Sequence, residues 1–414
     1  MNILMLGRWL PPPRRPVRGT REYQFAHHLA RAHRLTLAFV TDNPDTAGSI
    51  SALRSEFGDL EFASVPRGWK SLASAVRLAT GESCTLSYFR SEALRTRLSD
   101  RLRNTDYDLV YVSSSTMIQY ALDVDPGIPM VTDFGTLDSE WWARQAARGT
   151  YGASRFFRTE AARLRAAETI AARRAAQRVV ETPEAARIVQ ALAPGLPTVV
   201  IPSGVDVETA GTGSRPGKAP TVIFNASTGS DAEVDEILDF CRSIIPAVKA
   251  RVSQARFVLA AKEPVSAGRV GRGLEGLEIA PPMSDLRLLL HHQAVVAAPC
   301  GAGFDVRTSV LEPMAAGVPV ITTSAVRDVL RARAGQDIEV SDNRLDFALR
   351  VIDLLVDDRR REEMGSHGRR FVQEKFSWSV FGARIDDLLT GVVKESGGQN
   401  GVRRTRPIPA RHGA

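Results

Sequence analysis

Short apolar runs alternate with segments of helical spacing along most of this chain. Asn2 to Leu6 is the first run, Gly7 to Gly19 follow as a Pro-rich loop, and Thr20 to Arg31 carry the spacing of a helix. Leu35 to Val40, Asp108 to Ser113 (DLVYVS) and Ile128 to Asp133 (IPMVTD) read as further strands, each set off by helix-like stretches. Arg155 to Gln177 predict a long Ala- and Arg-rich helix, and Arg178 to Val180 a short strand. Strands separated by helices predict a parallel sheet covered on both faces.

A second series starts after the turn-rich APGLP at 193–197. Its strand candidates are Val199 to Ile201, Thr221 to Phe224, Ala255 to Ala260, Leu277 to Ile279, Ala294 to Ala298 and Val318 to Thr322. The pattern of the first half returns without an exact sequence repeat or a heptad seam. The expected fold class is therefore α/β, with two doubly wound Rossmann-like domains, 1–197 and 198–377. Between them the carboxyl ends of the strands would border a nucleotide-binding cleft.

Composition fits that division, because 414 residues at 43% hydrophobic exceed what one core usually serves. No run of 18 or more apolar residues occurs, and the first apolar run precedes its charges, the reverse of a secretory signal. A cytoplasmic protein is expected. Cys84, Cys241 and Cys300 are scattered without metal-ligand spacing and read as small buried residues in a reducing compartment. A net charge of +7 favours anionic partners, whether nucleotide phosphates, acidic lipid or nucleic acid. Residues 392–414 are rich in Gly, Pro and Arg and read as a disordered basic tail.

The segment Ala294 to Thr322, AVVAAPCGAGFDVRTSVLEPMAAGVPVITT, runs from a buried strand through a Gly-rich loop and short helix into another buried strand. Gly301 and Gly303 with VLEPMAAGVPVI resemble the donor-binding signature of the family 4 retaining glycosyltransferases of GT-B fold. By that resemblance Glu312 accepts hydrogen bonds from the donor ribose, while Gly317 and Pro319 form the turn into the next strand. A helix start with Arg307 beside it suits a diphosphate, and Thr308 or Ser309 serves there as phosphate ligand or helix cap. IPSGVDVE at 201–208 resembles the family's domain-junction turn. RRFVQEKFSWSVFGARIDDLL at 369–389 resembles its closing helices, which implies a helix at 378–391 crossing back onto the first domain. GESCTLSYFRSEAL, SSSTMIQYAL and VTDFGTLDSEWW resemble the exosortase-associated branch of these sugar transferases.

The resemblance implies transfer of a sugar from a nucleotide sugar to an acceptor hydroxyl, with retention, without metal or other cofactor, and with cations stabilising the departing diphosphate. The sequence offers no DxD-like acidic pair suited to a metal-bound diphosphate. It also departs from the family. Phe304 stands where many members have a first glutamate, with Asp305 one residue later as a shorter substitute. Ser309 stands in place of a lysine, so Arg307, with Lys262 after ARFVLAA, supplies the phosphate charge. Gly135 stands where many members have a histidine, leaving Asp133 and Asp138 to contact the transferred sugar or acceptor. The acceptor is expected near Gly19, Arg21 and the loop after Asp133. Pro313 biases Glu312 away from helical angles and toward a cap position.

These departures motivate a second reading, a catalytically inactive GT-B partner or activator of another enzyme. A nucleic-acid surface on the Arg-rich helix is disfavoured by Glu160 and Glu168 within it and by few interleaved aromatics. Peripheral contact with anionic lipid through that helix, or through Trp9, Leu10, Arg14 and Arg15, is the further partner the sequence admits.

Overall fold

Apolar runs become parallel strands here because the central ones are buried on both faces, as Ile3, Leu4, Met5 and Leu6 show at 0% exposure. The computed structural model describes residues 1–8, 20–41, 46–65, 81–122, 127–148, 151–208, 219–226, 231–261, 274, 276–280, 289–290, 294–299 and 305–399. Two units emerge, one of Met1–Ser203 with Phe381–Ala414 and the other of Gly204–Val380.

The first unit holds seven strands: β1 (Asn2–Gly7), β2 (Arg34–Thr41), β3 (Asp59–Ser64), β4 (Leu109–Ser113), β5 (Met130–Asp133), β6 (Gln177–Val180) and β7 (Thr198–Val200). They lie in the order β3-β2-β1-β4-β5-β6-β7, all parallel, which is the Rossmann order extended by one strand. β3 escaped the sequence pattern because it is an edge strand with polar positions facing out. Its Asp59 and Glu61 are bonded by Arg97 and Arg101, and such charges protect an edge from further pairing. β7 was grouped by sequence with the second series. Instead it pairs with β6, Val179 opposite Val199, so the first sheet continues past the APGLP turn.

The second unit holds β8 (Thr221–Ala226), β9 (Arg256–Ala261), β10 (Leu277–Ile279), β11 (Ala294–Ala298), β12 (Val320–Thr322) and β13 (Glu339–Val340). Their order, β10-β9-β8-β11-β12-β13, repeats that of the first sheet. β13 is two residues long, too short for any alternation to reveal it.

The helix Trp378–Gln399 begins in the second unit, and from Phe381 onward it belongs to the first. Ile385 and Leu389 are fully buried, Asp386 Oδ1 lies 2.6 Å from His33 Nε2, and Arg384 donates to the Val200 carbonyl at 3.1 Å. Since the helix runs to Gln399, a disordered tail from 392 is corrected. Val392, 8% exposed, is still part of its packed face. Residues 400–414 lie outside the described residues. Among the described residues no helix is long and apolar enough to cross a membrane.

Candidate functional site

In the first unit, polar groups gather at the carboxyl edge of the sheet. Asp133 closes β5 at 1% exposure. Its Oδ2 accepts from Tyr111 Oη at 2.6 Å and Arg21 Nε at 2.8 Å, and its Oδ1 accepts from the Gly135 N–H at 2.9 Å. Burial drives the Tyr111 phenol well above its usual pKa, and the Asp133 charge adds to the effect. Burial acts to lower the Arg21 pKa, but Asp133, Tyr111 and Glu181 together outweigh it and the group is raised. Asp133, expected to contact the transferred sugar or acceptor, is enclosed by three donors and holds Arg21 and the turn at Gly135.

Arg21, 8% exposed, keeps Nη1 and Nη2 buried with no hydrogen-bond partner among the described residues, as is Thr20 Oγ1 just before it. Thr20 precedes the helix Arg21–Ala30 without capping it by its side chain. The Arg21 guanidinium lies over the Phe25 ring at 4.6 Å. Asp138 opens the helix Asp138–Arg148 and pairs with Arg8 at 3.1 Å, while Arg8 lies over the Phe89 ring at 5.5 Å. Asp106 and Asp108 have DxD spacing but precede β4, at the opposite edge, where Asp108 accepts from the Asn2 N–H at 2.8 Å.

In the second unit the chain re-enters the described structure at Asp305, after β11. Asp305 acts as the cap of the turn: Oδ1 accepts from the Thr308 N–H at 3.2 Å, Oδ2 accepts from Thr308 Oγ1 at 2.7 Å, and its carbonyl accepts from the Ser309 N–H at 3.0 Å. The expectation that Thr308 or Ser309 caps the helix is corrected accordingly. Ser309 is 1% exposed and its hydroxyl has no partner among the described residues. Arg307 Nη1 lies 3.2 Å from Glu312 Oε1.

Arg307–Leu311 forms a π-helical turn that leads directly into the helix Glu312–Ala315. Glu312 has helical angles, φ −65° and ψ −46°, and its N–H bonds the Arg307 carbonyl five residues back. The expected departure of Glu312 from helical angles is thus overturned. A proline ring clashes with the carbonyl four residues earlier in an α-helix, and the wider π turn before Pro313 supplies the room. Gly317, at φ +76°, ends the helix in the left-handed region.

Asn225, near the end of β8 and 8% exposed, was missed by sequence reading. Its Nδ2 donates to the Thr308 carbonyl at 3.3 Å and ties β8 to the turn. The signal was a polar residue ending the apolar run TVIFN. Gly19, Lys262, Gly301, Gly303 and Phe304 lie outside the described residues. The structure thus gathers Asp305, Arg307, Thr308, Ser309 and Glu312 in one unit, and Arg21 with Asp133 in the other.

Comparison with known proteins follows the same division. Residues 219–357 match the family model of "Glycosyl transferases group 1". The chain is 36% identical over 113 residues to the GDP-mannose-dependent alpha-(1-6)-phosphatidylinositol monomannoside mannosyltransferase of Mycolicibacterium smegmatis, covering 24% of this chain and 29% of that protein. A Corynebacterium glutamicum mannosyltransferase, GDP-mannose-dependent and acting on the monoacylated monomannoside, is 36% identical over 102 residues, 23% of this chain and 26% of that protein. The matches span under a third of either relative's length. The solved structure of Anabaena Alr3699/HepE in complex with UDP is similar over 94% of this chain and 100% of that one, at TM-score 0.55 and 15% identity. Sucrose-phosphate synthase from Thermosynechococcus elongatus is similar over 95% and 99%, at TM-score 0.54 and 14% identity. These likenesses establish the fold class, two Rossmann-like domains of the GT-B kind.

Proposed function

We propose that this chain is a glycosyltransferase that moves a sugar from a nucleoside diphosphate sugar to an acceptor hydroxyl. The observation that carries the reading is the pairing of Arg307 and Glu312, 3.2 Å apart across the π turn, within the stretch 219–357 that matches the sugar-transferase family. Glu312 accepts the donor ribose hydroxyls. Arg307 uses one nitrogen on Glu312 and has its remaining donors for the diphosphate, to which the family resemblance also assigns Lys262 and the loop 301–309. Charge that develops on the leaving diphosphate is stabilised there by groups already in place. On the acceptor side Arg21 offers the two nitrogens that have no partner among the described residues, and Asp133 acts as its positioning residue.

Transfer proceeds with retention and without metal in this reading, as the family resemblance implies. Sugars linked to guanosine diphosphate and uridine diphosphate are the first donors to test, because relatives are named for GDP-mannose and a structural neighbour holds UDP. The measurement is release of nucleoside diphosphate from a panel of sugar nucleotides, in EDTA, with and without candidate acceptors. Turnover is expected, and Glu312→Gln should lower kcat/KM on the order of 10- to 100-fold, the worth of one or two charge-assisted hydrogen bonds. Equal rates for wild type and E312Q would sink the assignment. Binding of donor without turnover under every condition would favour the inactive-partner reading.

A further inference from the structure

In the helical hairpin of Asp138–Arg148 and Tyr151–Arg174 the carboxylates are either paired or buried: Asp138 pairs with Arg8 and Glu140 with Arg165 near its start. Between Trp141 and Arg174 the only carboxylates are Glu160 and Glu168, and both are buried at 0% exposure. Glu160 accepts from Ser83 Oγ at 2.6 Å and from the N–H groups of Cys84 and Thr85 at 2.9 and 2.8 Å. Glu168 accepts from Ser115 Oγ at 2.8 Å and from the N–H of Ser139 at 3.2 Å. The acids that were expected to offset the arginines at the surface therefore do not reach it.

Apart from Glu140, which is paired with Arg165, what remains outside is cationic and apolar. Arg144, Arg155, Arg158 and Arg173 are exposed, with Trp141 and Ile170 each 49% exposed among them and alanines between. Behind Trp141 the half-buried Trp142 stacks edge-on at 4.9 Å and meets Phe157 at 5.4 Å, so the tryptophan stands on a rigid aromatic base. Arginines flanking indole and aliphatic carbon match the boundary of an anionic bilayer, which takes both the charge and the apolar surface. Nucleic acid would take the charge alone and leave the apolar part in water.

We infer that this outward face of the hairpin docks on an anionic lipid surface, with Trp141 inserted at the headgroup level and Arg144, Arg155 and Arg158 against the phosphates. The inference goes beyond the proposed sugar transfer and is read without substrate, so either can fail alone. The test is co-sedimentation of the full chain with vesicles of about one-third phosphatidylglycerol in phosphatidylcholine, against phosphatidylcholine alone. Binding to the anionic vesicles is expected. The R144A/R155A/R158A variant should partition about a hundredfold less, at roughly fivefold per arginine, and W141A should lose part of the binding with an unchanged thermal melt. Failure of the wild type to bind, equal binding to neutral vesicles, or undiminished binding by the triple variant would each overturn the proposal. So would a DNA duplex that displaces the vesicles through the same arginines, which would assign the face to nucleic acid.

Discussion

Asp133 is the residue on which the first unit's polar edge turns, because it neutralises a buried arginine 112 positions away in sequence. Removing one partner of a buried pair leaves the other charge unpaired, at a cost of about 3–5 kcal/mol. Asp133→Asn should therefore destabilise strongly, whereas Tyr111→Phe, which removes one donor, should cost about 1 kcal/mol. Denaturant unfolding of the two variants measures the contrast, and equal small losses would contradict the role assigned to Asp133. Glu168 contributes to the pH dependence of stability. Burial raises its pKa above the ordinary value, against the hydrogen bonds from Ser139 and Ser115 that lower it. A carboxyl with a raised folded pKa adds stability below its unfolded pKa, and that contribution fades as pH rises through the folded value. As pH falls through the raised folded value toward the ordinary carboxylate range, the melting temperature of wild type should accordingly gain on that of Glu168→Gln, and a constant difference would argue against it. In sequence Glu160, Leu164 and Glu168 fall four apart, one stripe of a helix, and the buried Leu164 between them was the overlooked sign.

At the scale of elements, close approach of backbone decides what substitution is tolerated near the candidate donor site. The helix Asp358–Lys375 meets the turn after Glu312–Ala315 through Gly365, where a Cβ would come within 2.1 Å of the Gly317 carbonyl oxygen. Arg369 in the same helix donates to the carbonyls of Ala315 at 2.7 Å and Val207 at 2.9 Å. Gly365→Ala should cost roughly 1–3 kcal/mol by overpacking and, by shifting that turn, weaken nucleotide binding as well. Calorimetric titration of nucleoside diphosphate into the variant tests this, and unchanged affinity with unchanged stability would refute it. The signature VLEPMAAGVPVI was legible in sequence as strand, helix and turn. Its π turn was not, because i→i+5 bonding follows from how Pro313, Asp305 and Asn225 are accommodated together. Likewise GESCTLSYF, SSSTM and LDSEWW were legible as motifs. Only the fold shows that Ser83, Ser115 and Ser139 of these segments all bond the long helix, at Glu160 and Glu168.

For the whole molecule, the last helix ties the chain's end to its beginning within the first unit. Phe381, Ile385, Leu389 and Val392 are buried there, and Gly382 packs so closely on His28 that a Cβ would lie 2.4 Å from the ring. Four such side chains contribute about 1.5–3 kcal/mol each on burial, together comparable with the stability of a domain. A chain ending at Val380 should lose the cooperative unfolding transition of the first unit, which calorimetry on the truncated protein would reveal, and an intact transition would contradict it. The amino-acid sequence by itself determined the class of fold, since apolar runs at helix-separated intervals leave parallel sheets as the way to bury them. It also determined where Arg307 and Glu312 stand, because they follow a strand in a local motif that needs no distant partner. Tertiary structure alone decided the strand order, the seventh strand's membership of the first sheet, the burial of Asp133 with Arg21, and the inward turn of Glu160 and Glu168. Each of these depends on groups far apart in the chain, and their pairing is set by which surfaces meet when the sheets and helices pack.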